Sequence, residues 1–215
     1  MRSIIRWAGS KRQILKKLRP YWSDAYTTYI EPFAGSACLF FDIQPSTAIL
    51  ADLNSELVLS YIALKENVEL VLEHFKKLRP DKETYYKVRA INPGMLSMEE
   101  LAARFIYLNR YCFNGLYRTN LEGKFNVPYG PPKQALLNFE QEVRLAAVLL
   151  QQTTLKVSDF ESTVAAACPN DFVYLDPPYM VQTRRIFREY SPQPFSIADL
   201  DRLSECLCHL DDIGA

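Results

Sequence analysis

The sequence has no CxxC pair, no apolar run of membrane-spanning length, no leader-like start and no net charge. Each absence excludes something. The five cysteines are an odd number, and Cys206 and Cys208 stand only one residue apart. Neither a disulfide framework nor a zinc module is expected; reduced intracellular thiols and no bound metal are. The longest apolar runs, such as Ala37-Cys38-Leu39-Phe40-Phe41, fall far short of the roughly 20 residues a membrane span needs. Met1-Arg2-Ser3-Ile4 is not followed by an apolar stretch with a small-residue cleavage site, so a cytoplasmic protein is expected. Gly9-Ser10-Lys11 lacks the GxxxxGK[ST] frame and no strand precedes it, which rules out a phosphate loop for ATP. There is no internal repeat and no low-complexity tract.

What is present is a 215-residue chain with 48% hydrophobic and 23% charged residues, too apolar for its charge to be disordered. That length buries a real core, as one domain or as a domain with a sizeable insertion. The 25 Lys and Arg cancel the 25 Asp and Glu only in blocks. Residues 1–21 carry seven bases and no acid, and residues 22–75 carry eight acids and only Lys65. Residues 104–133 carry five bases against Glu122 alone. A neutral chain patterned this way can still present a basic face to a phosphate backbone.

The periodicity predicts a helix over Arg12–Leu18, a buried strand over Thr28–Phe33, a helix from Cys38 and a second strand over Ala48–Ala51. Strand, small-residue turn, helix and strand in succession open a parallel α/β unit. From Ser55 the spacing is helical (Leu57, Val58, Tyr61, Leu64; then Val68, Val71, Leu72, Phe75). Pro80, Pro93 and Gly94 cut the following region into short helices, and another helix runs from Glu99 to Arg110. Thr119–Pro128 reads as a hairpin turning at Glu122-Gly123. Phe139–Leu150 is helical, Leu155–Val157 and Phe172–Leu175 are strands, and Ile197–Leu210 is a helix. The expected organisation is an α/β domain of residues 1–55 and 136–215, interrupted by a mostly helical insert over 56–135.

The sharpest motif is Asp176-Pro177-Pro178-Tyr179, at the end of the apolar run Phe172-Val173-Tyr174-Leu175. A parallel strand delivers its C-terminal residues to the crevice where α/β proteins bind ligands. The prolines lack N–H groups and hold the backbone extended, which leaves carbonyls free to accept. A carboxylate beside a free carbonyl takes both hydrogens of an exocyclic amine, and Tyr179 offers a flat surface for a planar base. Together they suit an extruded nucleobase held by its amino edge. The second motif is Tyr29-Ile30-Glu31-Pro32-Phe33-Ala34-Gly35-Ser36-Ala37, whose small residues let a ligand approach the backbone at a helix N-terminus. Asp52, at the end of the next strand, is positioned to accept from ribose hydroxyls.

On these residues the chain resembles the Dam-like (D12 class) DNA N6-adenine methyltransferase family. In family order stand Trp7-Ala8-Gly9-Ser10-Lys11, Glu31-Pro32-Phe33-Ala34-Gly35-Ser36, Ala51-Asp52-Leu53-Asn54, Tyr107 to Arg118, Gly123 to Gly130, and Asp176-Pro177-Pro178-Tyr179. The resemblance implies a Rossmann-like α/β fold and transfer of methyl from S-adenosylmethionine to a flipped adenine in double-stranded DNA. It implies that Trp7, Lys11, Phe33, Gly35 and Asp52 line the cofactor pocket, with Asp159 and Phe160 near the cofactor adenine. Asp176 would touch both cofactor side and target base, and Pro177, Pro178 and Tyr179 would complete the catalytic tetrapeptide. DNA contacts are implied for Arg6, Arg110, Phe113, Asn114, Leu116, Arg118, Lys124 and Asn126, with Arg118 reading a base and Phe113, Asn114 and Leu116 entering the duplex. GATC is the implied recognition sequence and the nucleoid the implied location. Ala37 replaces the second glycine of the usual FxGxG, and Pro131-Pro132-Lys133 stands where some GATC enzymes place an Arg.

The residue chemistry is consistent with that assignment. Arg suits a bidentate grip on guanine, and an aromatic beside Asn on a tight turn suits wedging into the stack as the target flips. Cytosine N4 methylation uses the same amine logic but more often has Ser at the position of Asp176, and protein glutamine methylation usually has Asn. Cytosine C5 chemistry needs an activated Cys, and no Cys here follows a Pro. A different class of reading is a catalytically silent DNA- or cofactor-binding fragment. Four strands are expected where such sheets usually have seven, which would expose the Phe172–Leu175 edge to self-association. A complete chain is expected to be monomeric, and no membrane contact is expected.

Overall fold

The computed structural model describes residues 1, 3–120, 122–131, 138–178 and 195–215. Predicted features on Tyr179, Pro132 and Lys133 lie outside the described residues. Eight helices and four strands occur among the described residues: α1 Leu15–Leu18, β1 Tyr29–Glu31, α2 Cys38–Ile43, β2 Ala48–Asp52, α3 Ser55–Lys76, α4 Lys82–Ala90, α5 Met98–Tyr111, α6 Phe139–Leu150, β3 Thr153–Val157, α7 Phe160–Val164, β4 Phe172–Val173 and α8 Ile197–Ile213. The sheet has the order β3-β2-β1-β4 and every pairing is parallel. This is the α/β, Rossmann-like architecture expected of the sequence.

Alternation along the β4 segment separates two cores. Phe172 and Tyr174 turn to a large cluster with Tyr29, Phe40, Leu50 and Leu57. Val173 and Leu175 turn to a smaller one formed by Phe160, Val164, Leu203, Cys206 and Leu210 of α7 and α8. Period-two side-chain direction on a pleated strand produces this split, so the sheet is covered on both faces. The large cluster also takes in Phe105, Tyr107, Phe125 and Val143, so residues 1–55, 56–135 and 136–215 share one continuous core. Burying one leucine such as Leu57, fully enclosed here, contributes about 1.5–3 kcal/mol.

Local chemistry sets the boundaries. Asn54 caps α3 by accepting from Leu57 N at 3.0 Å, and Asp81 caps α4 through Thr84 N at 2.8 Å. Ser97 and Glu100 form a capping box at the start of α5, as Ser196 and Asp199 do at α8. The two helical stretches predicted after Ser55 meet within α3 at Asn67, which leaves helical geometry (φ −150°, ψ 68°) and whose side chain accepts from Leu70 N to start the second stretch. The predicted strand at 172–175 is shorter, although Tyr174 N still donates to Ile30 O at 2.8 Å. The predicted hairpin is held by isolated Cys112–Tyr129 and Thr119–Phe125 bridges rather than by continuous strands.

The two predicted basic surfaces differ in burial. In the first block, Arg12, Lys16, Lys17 and Arg19 are exposed; Arg12 donates to the Ser3 and Ile5 carbonyls, Arg19 to Asp42, and Lys11 to Asp176. In the second, Arg104 is buried and pairs with Glu56 at 2.9 Å. A count of formal charges carries no information about burial, which is why the sequence reading overstated the second face.

Candidate active site

The strand ends of β1, β2 and β4 converge on one crevice. The turn after β1 is closed by Ala34 N donating to Ala51 O (2.9 Å) and Ala37 N to Ala34 O (2.6 Å). Gly35 has φ +45°, and a Cβ there would lie 2.7 Å from the Trp7 indole, so both conformation and space demand glycine. Gly35 N donates to Asp52 Oδ2 and Asn54 N to Asp52 Oδ1, each at 2.9 Å. Burial pushes the Asp52 carboxyl up, and these backbone donors pull against it. Ala37 is fully enclosed with φ 47°, left-handed for a residue with a side chain. Relief of that strain in Ala37→Gly, about 1–2 kcal/mol, is offset by the lost methyl and by glycine's unfolded-state entropy. Urea unfolding is therefore expected to find that variant within about 1 kcal/mol of the parent.

Glu31 at the end of β1 is buried, and its Oε2 accepts from the Tyr29 hydroxyl at 2.9 Å. Burial raises its pKa well above the ordinary carboxylate value, and the nearby Asp176 and Asp52 charges add to the rise. Between the unfolded and folded pKa values the folded state holds more protons, so stability falls as pH climbs from about 4.3. Glu31→Gln is expected to flatten that decline, measured as denaturation midpoints from pH 4 to pH 8 (about the carboxylate range and above). An unchanged slope would remove Glu31 as its source.

Asp176 follows β4 and is partly exposed. Both of its oxygens accept from Lys11 Nζ, at 2.6 and 2.8 Å, and the same ammonium donates to Gly9 O at 3.0 Å. Lys11 is thereby drawn onto the carboxylate from a turn that also presents Trp7 to Gly35. Pro177 and Pro178 continue from Asp176 without regular structure.

Beyond β3, Asp159 caps α7 through Glu161 N at 3.0 Å. Phe160 stacks on Phe33 (centroids 5.3 Å apart, 26° between planes), and Phe195 meets both rings. Arg202, absent from the sequence-derived set, pairs with Asp159 and Glu161 and lies 4.7 Å over the Phe160 ring. Nothing local to Arg202 signals this, since Asp159 lies 43 residues away along the chain.

The loop after α5 forms the second half of the site. The Asn109 side chain clasps the Arg6 backbone, accepting from its N at 2.9 Å and donating to its O at 2.7 Å. Phe113–Gly115 is a single tight turn with Asn114 at φ 56°, and it leaves Phe113 and Asn114 exposed. Gly115 packs directly on the Arg6 side chain with φ +66°. Leu116 is half-buried, and Arg118 Nε donates to Asn126 Oδ1 at 2.8 Å. Lys124 pairs with Glu122 at the exposed tip. Arg110 lies 4.1 Å over the Phe139 ring, with its Nε shielded and without a hydrogen-bond partner among the described residues. Burial, then the neighbouring Arg6 charge, lowers its pKa. Among the described predicted residues, Trp7 packs on Gly35, Gly35 bonds Asp52, and Lys11 bonds Asp176. Phe33 and Phe160 stack beside Asp159, the cap of α7. Phe113, Asn114, Leu116, Arg118, Lys124 and Asn126 lie in the segment after α5, Arg110 in the last turn of α5, and Arg6 in the N-terminal segment that Asn109 clasps.

Comparison with known proteins gives the family. The family model described as D12 class N6 adenine-specific DNA methyltransferase matches residues 7–214. The Type II methyltransferase M1.LlaDCHI of Lactococcus lactis subsp. cremoris is 35% identical over 100% of this chain and 78% of its own length. M.MjaIII of Methanocaldococcus jannaschii is 34% identical over 100% of this chain and 82% of its own. A DNA adenine methylase of Serratia marcescens is 32% identical over 94% of this chain and 76% of its own. With its parallel sheet, its Asp-Pro-Pro strand end and a family match over nearly its whole length, the chain belongs to the D12 class of N6 adenine-specific DNA methyltransferases.

Proposed function

We propose that this enzyme transfers the methyl group of S-adenosylmethionine to N6 of an adenine flipped out of duplex DNA, with GATC the first sequence to test. The observation that carries this is the convergence of Asp176 with the Gly35–Asp52 turn: an amine-accepting carboxylate beside a backbone cradle that only glycine fits. The cradle suits the cofactor. Asp52 keeps lone pairs for ribose hydroxyls after accepting two backbone N–H groups, and Trp7, Phe33 and Phe160 supply apolar walls for an adenosine. Asp159, held by Arg202, accepts from an adenine amine. When bound, S-adenosylmethionine supplies an electrophilic methyl on its sulfonium.

The chain's own residues handle the target base. The lone pair of adenine N6 is delocalised into the ring and is a poor nucleophile. Hydrogen bonds from N6 to the Asp176 carboxylate and the Pro177 carbonyl localise that pair and aim it. Asp176 need not be a strong base, because the N6 proton becomes acidic only as the new bond forms. Tyr179 would stack on the flipped base. Phe113, Asn114 and Leu116 are suited to fill the space that base leaves. Arg118 would read a guanine edge, and the closely spaced Arg6 and Arg110 favour an anion between them, which a DNA phosphate supplies.

Labelled methyl transfer into duplexes whose only amine targets are adenine or cytosine tests this directly. Incorporation at adenine is expected, and methylation-sensitive sequencing of DNA from expressing cells gives the sequence context. Label found only at cytosine, or only in protein, would overturn the assignment.

A further inference from the structure

We infer that Arg202 is a positioning residue that makes the cofactor pocket selective for a purine bearing an exocyclic amine. The inference rests on the reading of Asp159 as acceptor for the adenine amine of S-adenosylmethionine, and it adds what holds that acceptor in place. Asp159 stands just beyond β3, where Val157 is in register with Asp52 of β2 and Ser158 N donates to Asp52 O at 3.3 Å. The acceptors read for ribose and for base thus sit on adjoining strand ends. The Asp159 side chain is 30% exposed. Among the described residues it accepts from Glu161 N at 3.0 Å and from Arg202 Nη2, both at Oδ1. Its other oxygen, Oδ2, keeps its lone pairs for a ligand.

Arg202 reaches this carboxylate from α8 and spends all of its nitrogens on acids. Nε and Nη2 donate to Glu161 Oε2 at 2.8 and 2.7 Å, Nη1 donates to Asp199 at 3.0 Å, and Nη2 also meets Asp159. The guanidinium lies over the Phe160 ring, on the apolar wall read for the adenosine. The Glu161 pair alone would tie α7 to α8, and the Asp199 pair is internal to α8. The bond to Asp159 does something else: it fixes a side chain at a strand end. Fixing matters because of what an oxo-purine offers in place of adenine. Exchanging the amine for a carbonyl sets acceptor against acceptor, but it also puts a hydrogen on the adjacent ring nitrogen, N1. A carboxylate free to turn would follow that donor and lose little affinity. One gripped at Oδ1 by a planar guanidinium keeps Oδ2 aimed at the amine position. The oxo-purine then leaves Oδ2 without a donor, which is costly for a charged acceptor. Selectivity therefore depends on the arginine as well as on Asp159.

The test is calorimetric titration of the full chain with S-adenosylhomocysteine and with S-inosylhomocysteine, its oxo counterpart. The parent is expected to bind the adenine compound about 10-fold or more tighter, within the range of one hydrogen bond to a charged group. Arg202→Met keeps an apolar stem on Phe160 but frees Asp159, and is expected to bring that ratio to about 3-fold or less. Arg202→Lys keeps a charge without the fork and is expected to give an intermediate ratio. In turnover, Arg202→Met should raise KM for S-adenosylmethionine more than it lowers kcat. A merely structural arginine would lower the melting temperature and leave the ratio intact. A parent-like ratio in folded Arg202→Met therefore overturns the inference. Should that variant not fold, Arg202→Lys decides alone, and a parent-like ratio there has the same meaning. Asp159→Asn separates the inference from the reading beneath it. A ratio lost in Asp159→Asn but kept in Arg202→Met sinks the inference alone. A ratio unchanged in Asp159→Asn, or a parental ratio of one, removes Asp159 from the adenine amine, and the inference falls with it. A parent protein that binds neither compound removes the cofactor assignment itself.

Discussion

Asp176→Ala is expected to lower the rate of methyl transfer by about 10³-fold or more, with duplex binding kept within a few-fold. The reason lies in how few groups act on the amine. The neighbouring Glu31 and Asp52 are engaged by the Tyr29 hydroxyl and by backbone N–H groups, so neither is free to take over the acceptor's place. In the structure the two Asp176 oxygens already accept from the Lys11 ammonium, which presents N–H donors much as an exocyclic amine does. On the proposed mechanism, target entry would exchange one donor for another and leave no carboxylate unpaired. Asp176→Asn keeps the shape but turns one acceptor into a donor facing Lys11, so it is expected to be nearly as inactive as alanine. Single-turnover rates with saturating duplex separate the chemical step from binding. A rate within tenfold of the parent in both variants would remove Asp176 from the chemistry.

Much of the scaffold was legible because parallel strands are short, continuous and apolar. The strands read at Ala48–Ala51 and Leu155–Val157 from composition and from what ends them fall within the longer Ala48–Asp52 and Thr153–Val157, and the span of α6 emerged from spacing alone. The five-residue helix α7 was not legible, being too short to show a period. Nor was the kink at Asn67, which depends on a side chain capping the turn beyond it. The site divides in the same way. Asp176, Gly35 and Asp52 announce themselves because strand ends and tight turns constrain their neighbours in sequence. Arg202 and Glu31 are placed by partners that only folding brings near, or by burial that no local pattern encodes. Charge was the least transferable signal: Arg104 counts toward a basic block yet is buried and spends its guanidinium group on the Val88 and Arg89 carbonyls and Glu56.

Arg104 and Arg118 share one basic block, and substituting each by alanine is expected to give opposite phenotypes. Arg104 donates through Nη1 to Glu56 at 2.9 Å, through Nε to Val88 O at 3.2 Å and through Nη2 to Arg89 O at 3.3 Å. It ties α3, α4 and α5 from a side chain only 5% exposed. Removing it strands the Glu56 carboxylate and two carbonyls, at about 3–5 kcal/mol, the range for breaking one side of a buried pair. Replacing both partners together, as Arg104→Met with Glu56→Gln, is expected to cost less, because no charge is left behind. Arg118 is only half-buried and its Nε donates to the neutral Asn126 amide, so Arg118→Ala should change stability by about 1 kcal/mol, well below Arg104→Ala. It should instead relax sequence discrimination by about 1–3 kcal/mol at one base pair. The pH dependence gives an independent check. Burial raises the Glu56 pKa and Arg104 is what opposes that rise. Without Arg104 the folded pKa climbs further, so the folded state holds its proton over a wider window. The stability deficit of Arg104→Ala must then grow as pH rises from about 4.3. Urea unfolding at pH 5 and pH 7 measures it, and a deficit that is small or independent of pH would return Arg104 to the surface block.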